Sequence, residues 1–282
     1  MKAPSISIES APPAKAFERE QPVVLRNQDT RGVVTLTLNR PQAFNALSEA
    51  TLAALQHEFD EIAKDDSARV VVLAADGKAF CAGHDLKEMR AKPSPGYYRR
   101  LFAQCSEMML RMQRLPVPVI ARIQGIATAA GCQLVAMCDL AVAASTAKFA
   151  VSGVNLGLFC SAPGVALSRN VLRKLAFEML VTGEFISAEE AKARGLINRV
   201  AEPDQLDAEV EKLVATIIAK PRVAVAMGKE IFYCQIELGI AAAYDAAGET
   251  MACNMMDEAA LEGVQAFIDK RQPRWSQGPK SS

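Results

Sequence analysis

One unit recurs in this chain and limits what it can fold into: a short apolar strand, a turn of small residues, then a helix. Val70-Val71-Val72-Leu73 leads into Ala79-Phe80-Cys81-Ala82-Gly83-His84-Asp85-Leu86-Lys87. Val119-Ile120-Ala121-Arg122-Ile123 leads into Gly125-Ile126-Ala127-Thr128-Ala129-Ala130-Gly131-Cys132-Gln133. Apolar runs of this length read as buried strands. Small residues after a strand let backbone N–H groups come close to a ligand. Two such turns, each offering N–H donors, supply what an oxyanion site needs.

The remaining elements fit around this pair. Val33 to Leu38 alternates and is β-branched, so it predicts a strand. Ser48 is placed to cap a helix carrying Leu52, Leu55, Phe59 and Ile62, with His57 off the apolar stripe. Pro93-Ser94-Pro95-Gly96 breaks the chain before a helix with Leu101, Cys105, Met108 and Met112. Leu140 to Ala143 and Lys148 to Val151 read as short strands. After Pro163-Gly164 the pattern turns helical, with a capping box at Ser187-Ala188-Glu189-Glu190. From Pro221 onward long Ala-, Met- and Glu-containing stretches carry more apolar surface than one helix pair can bury, which implies packing on the core or on another subunit. The fold class predicted is α/β with a helical C-terminal region. Residues 1–22 read as a disordered tail, 23–215 as the core, and 216–276 as the helical, oligomer-forming and site-capping part.

Composition excludes several functions. Lys+Arg and Asp+Glu are both 32, so no global charge points to nucleic acid or an anionic membrane. No apolar run approaches the roughly 20 residues that span a bilayer. The first residues lack an apolar segment of the secretory type. Seven cysteines without a CxxC, and only two histidines, speak for reduced thiols and against a metal site. A cytoplasmic setting is the expectation, with the mitochondrial matrix as the alternative. No P-loop and no GxGxxG occurs.

Leu38-Asn39-Arg40-Pro41 with Asn45-Ala46-Leu47, the stretch Phe80 to Leu86, Pro118 to Ala121 with Gly125, Ala130-Gly131-Cys132, and Cys138-Asp139-Leu140 stand together in order. Thr182-Gly183, Ser187-Ala188, Ala191 and Gly195-Leu196 follow. On these residues the chain, from about Val33 to Trp275, resembles the enoyl-CoA hydratase/isomerase family, the crotonase superfamily. Gly153 to Cys160 is similar to one subgroup of it. The resemblance implies a crotonase-like spiral of ββα turns, a homotrimer or homohexamer, and an acyl-CoA thioester as ligand, with no cofactor beyond the coenzyme A of the substrate. It implies that the thioester oxygen sits between the backbone N–H groups of His84 and Ala130. Ala82, Gly83, Asp85, Leu86 and Lys87, with Ala43 and Phe44, would line the path of the CoA.

The chain departs from the family pattern where proton chemistry is done. The two catalytic glutamates of family hydratases fall on Gln133 and Gly153. Gln133 cannot act as a base near neutral pH, and Gly153 has no side chain. Each positioned acid or base is worth roughly 10²–10⁴ in rate. The expectation is therefore an acyl-CoA thioester-binding protein with an oxyanion hole, nominally a hydratase or isomerase (a lyase or isomerase by class), without the usual hydration machinery. Isomerisation, decarboxylation and thioester hydrolysis all place charge on that oxygen. The alternative is a non-catalytic acyl-CoA binder or assembly subunit. Restoring both glutamates is expected to raise hydratase activity. Several nearby side chains carry two readings. The His84 imidazole is either a base beside the thioester or turned away from it. Cys160 and Ser161 are either a nucleophile pair or a packed loop. Ser152 and Asn155 either orient a water or bond within the loop. Asp139 is read as a local cap. Tyr97 and Tyr98 form either a site wall or surface packing.

Overall fold

A computed structural model describes residues 21–277. The predicted tail lies outside them but for Gln21 and Pro22, which are exposed. The chain opens with β1 (Val24–Gln28), antiparallel to β2 (Val33–Leu38). A loop then leads to α1 (Glu49–Lys64), capped by Ser48, whose side chain accepts from Thr51 N. Leu52, Leu55, Phe59 and Ile62 are all fully buried on its inner face, each contributing about 1.5–3 kcal/mol.

The recurring unit follows three times. β3 (Val70–Ala75) is followed by β4 (Ala79–Cys81), then α2 (Leu86–Ala91) and α3 (Pro95–Gln113). β5 (Val119–Ile123) is followed by β6 (Ile126–Thr128) and α4 (Ala130–Met137). β7 (Leu140–Ala144) is followed by β8 (Lys148–Ala150) and, after a 3₁₀ turn, α5 (Ser161–Asn170). The first strand of each unit adds in parallel to the larger sheet, which runs β1-β2-β3-β5-β7 to this point. The second strand of each adds to a four-stranded sheet, ordered β4-β6-β8. Repetition with a constant advance produces the spiral of ββα turns expected from the resemblance.

Next come α6 (Arg173–Thr182), β9 (Ile186–Ser187), α7 (Ala188–Ala193), β10 (Arg199–Ala201) and α8 (Leu206–Ile218). β9 closes the smaller sheet and β10 closes the larger one. The stretch after residue 163, read as mainly helical, thus also contains two short strands. Pro163 and Gly164 lie inside α5, and Pro95 lies in the first turn of α3, where its missing N–H does no harm. The capping box at Ser187 forms as read.

Alternation within the strands builds two cores. Val71 and Leu73 point to the main core with α1 and α3. Val70 and Val72 point to the opposite face, where Leu206, Val210 and Val214 of α8 cover the sheet. Residues 215 and 216, where the core was read as giving way to the helical part, both lie within α8.

The chain ends in α9 (Arg222–Gln235), α10 (Ile240–Met255) and α11 (Glu258–Ile268). Their apolar side chains are largely uncovered: Phe267 is 85% exposed, Ile240 78% and Tyr244 74%. One buried network holds α9 to the body. Lys229 Nζ donates to Met112 O (3.2 Å), Val117 O (3.0 Å) and Asp139 Oδ2 (2.7 Å). Tyr233 OH donates to Asp139 Oδ1 (2.7 Å), and Val119 N to Oδ2 (2.6 Å). Asp139 is therefore an inter-element anchor, not the local cap read from sequence. Among the described residues no helix is long and apolar enough to cross a membrane.

Candidate active site

The two small-residue turns meet at one cavity of about 700 Å³. Glycines bring them into contact. Gly83 has φ +89°, and a Cβ there would lie 2.9 Å from Ala129 Cβ and 3.1 Å from Ala130 N. A Cβ at Gly131 would overlap the Cys81 carbonyl. Only the missing side chains allow the turn after β4 to rest on the start of α4.

Backbone geometry then aims two donors. Leu47 forms a parallel bridge with His84: Leu47 N donates to Gly83 O (2.7 Å), and Asp85 N donates to Leu47 O (3.2 Å). In extended chain the neighbours' groups face the bridge partner, so the His84 N–H faces the other way. Ala130 is the first residue of α4, where N–H groups have no intrahelical acceptor. Ala129, with φ 51° and ψ −122°, turns the chain to present it. Neither N–H has a backbone acceptor among the described residues, and both residues line the cavity. Two such donors converging on a carbonyl oxygen stabilise negative charge that develops there, and the dipole of α4 adds to the effect.

The cavity mouth is held by the loop before α1. Phe44 and Asn45 take positive φ (51° and 53°). Asn45 makes this affordable: buried, it donates to Asp76 O (2.7 Å) and Ala79 O (2.8 Å) and accepts from Arg40 N (2.9 Å). Ala82 N donates to Phe44 O (3.0 Å), which ties the loop to the turn after β4. Asp85 caps α2 and accepts from Arg40 Nη2 (3.1 Å). Burial would raise its pKa. The Arg40 hydrogen bond, and those from Glu88 and Lys87 N–H, outweigh that and hold the carboxyl below its usual range. It is a committed anion rather than a free base.

Most sequence-predicted residues assemble here. His84, Ala130, Gly153, Ala43, Phe44, Ala82, Asp85, Leu86 and Lys87 all line the cavity. Gly83 supports it from behind. Gln133 does not line it: it is buried on α4. At Gly153 no side chain has room. A Cβ would lie 2.5 Å from Leu158 O and 2.6 Å from Cys160 Sγ. A glutamate at 153, expected together with one at 133 to raise hydratase activity, would require the Leu158 carbonyl to shift.

The open alternatives separate. The His84 ring packs edge-on to Phe102, with centroids 5.5 Å apart, and its Nδ1 is buried with no partner among the described residues. Burial lowers the imidazole pKa, against a smaller opposing effect of the Leu47 backbone. Cys160 lines the cavity, but burial raises its thiol pKa over the opposing Gly153 backbone bond. A neutral thiol is a poor nucleophile. Asn155 turns to Gly183 O (3.3 Å), away from the cavity, while Ser152 lines it. Tyr97 OH donates to Glu49 and Tyr98 OH to Met89 O, and neither ring lines the cavity. Sequence reasoning missed Arg40, Met89, Phe102, Leu156, Leu158 and Phe159 as lining residues. Arg40 was legible as part of the Asn39-Arg40-Pro41 marker; the others carry only generic apolar signals.

Comparison with known proteins agrees with this architecture. The profile of the family described as Enoyl-CoA hydratase/isomerase matches residues 28–278. The human enoyl-CoA hydratase domain-containing protein 3, mitochondrial, is 42% identical over 273 residues, covering 96% of this chain and 89% of that protein. The crystal structure of an enoyl-CoA hydratase from Mycobacterium smegmatis is 70% identical, with TM-score 0.90, covering 90% of this chain and 99% of that one. That of the human domain-containing protein 3 is 42% identical, with TM-score 0.87, covering 90% and 100%. The chain belongs to the enoyl-CoA hydratase/isomerase family, the crotonase superfamily.

Proposed function

We propose that this protein binds an acyl-CoA thioester and polarises its carbonyl between the His84 and Ala130 N–H groups, for a reaction other than ordinary hydration. The single observation that carries the reading is the pair of N–H groups on one cavity, neither with a backbone acceptor among the described residues, from turns held together by Gly83 and Gly131. Removing one such donor from an oxyanion site typically costs about 3–4 kcal/mol of barrier. The CoA enters past Phe44 and Lys87, with the acyl group toward Leu156, Leu158 and Phe159. Coenzyme A arrives as part of the substrate, and no further cofactor is invoked.

The exposed apolar faces of α9 to α11 support assembly into a homotrimer or homohexamer. The vertebrate relatives are named as mitochondrial proteins, which favours the matrix alternative over the cytoplasmic expectation. The crowded space at Gly153 also favours a second reading, a non-catalytic acyl-CoA binder.

One panel separates these readings. Binding and turnover are measured together for enoyl-, β-keto- and malonyl-type CoA esters. Turnover of a non-enoyl ester supports the proposal. Tight binding without turnover across the panel supports the binder. Robust hydration of crotonyl-CoA overturns the assignment of Gln133 and Gly153.

A further inference from the structure

Cations gather beside the mouth of the cavity without carboxylate partners. Lys87, Arg90, Lys92, Arg99 and Arg100 stand close together in sequence, against the single carboxylate of Glu88, in a chain whose net charge is +0. All of these cations are exposed, and none forms an ion pair with another described residue. The neighbouring carboxylates are engaged elsewhere. Glu88 accepts from Glu49 N (2.9 Å), Asp85 is paired with Arg40, and Glu49 accepts from the Tyr97 hydroxyl. Farther along α3, Arg111 is paired with Asp60 at 2.8 Å. The unpaired charge is thus gathered on α2 and the first turns of α3.

The same two helices give Met89 and Phe102 to the cavity wall, and Lys87 lines it as well. Arg90, Lys92, Arg99 and Arg100 stand outside the cavity. Tyr98 OH donates to Met89 O (3.1 Å), and the Lys92 ammonium lies 6.0 Å from the centre of the Tyr97 ring, so the two helices present one surface. Phe44 and Leu86, which line the cavity, are exposed apolar side chains. Small ligands are held in concave, mostly apolar sites. Exposed apolar side chains flanked by cations on open helix faces match the core and rim of a contact with an anionic protein.

The kind of partner follows from what the cavity takes. The arm of the thioester enters at this mouth, past Phe44 and Lys87, with the acyl group innermost. A partner at the mouth must therefore hold the thioester at the end of a long arm and be acidic around the point where the arm is attached. An anionic bilayer has the charge but the wrong direction, since it would hold the acyl chain at the mouth rather than the polar end.

We infer that α2 and the first turns of α3 dock an acidic protein that carries its acyl group as a thioester on a phosphopantetheine arm, so that the site takes thioesters from such a carrier as well as from coenzyme A. This rests on the acyl-CoA reading above. The test measures binding of a bacterial acyl carrier protein, butyryl-loaded or without its arm, and of butyryl-CoA, to the full-length protein. The loaded carrier should bind more tightly than the armless one, and its affinity should fall about 10-fold or more between about 50 and 300 mM salt. Arg99→Glu with Arg100→Glu should weaken the loaded carrier by about 10-fold or more and leave butyryl-CoA within about 2-fold. Arg99→Lys with Arg100→Lys should keep most of the affinity. If the reversal weakens butyryl-CoA as much as the carrier, the cations serve the nucleotide and the inference is overturned. Equal binding of the loaded and armless carriers, or salt-sensitive binding to phosphatidylglycerol vesicles without carrier binding, overturns it too. Binding of butyryl-CoA without binding of the carrier overturns the inference while leaving the acyl-CoA reading intact. Failure of both to bind overturns both.

Discussion

Gly153 and Cys160 occupy each other's space: a Cβ on the first would stand 2.6 Å from the Sγ of the second. The carbonyl of Leu158 closes the other side at 2.5 Å. No vacancy stands beside Gly153, because the loop carrying Leu158 and Cys160 fills that room. Gly153→Glu is therefore expected to destabilise the protein by about 1–3 kcal/mol through overpacking and to confer no hydratase activity, alone or with Gln133→Glu. Thermal unfolding and a crotonyl-CoA assay check both parts.

Ala129 pays for presenting its neighbour's N–H. Its φ of 51° with ψ −122° is a conformation that L residues rarely adopt, costing of order 1–3 kcal/mol. Ala129→Gly should raise stability by up to about 1 kcal/mol once the extra freedom of glycine in the unfolded chain is subtracted. Ala129→Val should lower it. Denaturant midpoints of the two variants give the comparison.

Lys229 is buried and its partner Asp139 is half-buried, and each depends on the other. Lys229→Met would leave the Asp139 carboxylate with Tyr233 and the Val119 N–H but no counter-charge. Loss of one partner of a buried pair costs about 3–5 kcal/mol. Urea unfolding should show that loss, and protection of α9 amides in hydrogen exchange should fall first.

A pH effect follows from His84. Its folded-state pKa is lowered, mainly by burial, so the unfolded chain binds the proton more readily. The contribution of this group is fully present above the unfolded value of about 6.5 and declines as pH falls toward the folded value. Wild type should lose more stability between pH 7.5 and 5.5 than His84→Gln. Parallel melting curves that do not converge would contradict the burial of this ring.

Strand–turn–helix repetition was legible because each first strand is a run of apolar residues and each turn is small. Ser48 and Ser187 were legible as caps because capping is local in sequence. β9 and β10 were not, since two or three residues carry no period. Asp139 was misread for a different reason: its partner Lys229 lies 90 residues away. At the site, His84, Ala130 and the mouth residues could be placed from the family markers, whereas Gln133 could not. Its burial on α4 depends on how that helix is rotated against β4, which Gly131 sets through contact with Cys81.

The central claim is that the two N–H groups polarise a bound thioester. Carbon-13 NMR of [1-¹³C]butyryl-CoA tests it directly, with Ala130→Pro as the control, since proline at a first helical position has no N–H to donate. The account predicts a downfield shift of the thioester carbonyl on binding to wild type, and a smaller one in the folded variant. A bound ester whose carbonyl resonates where the free ester does would contradict it.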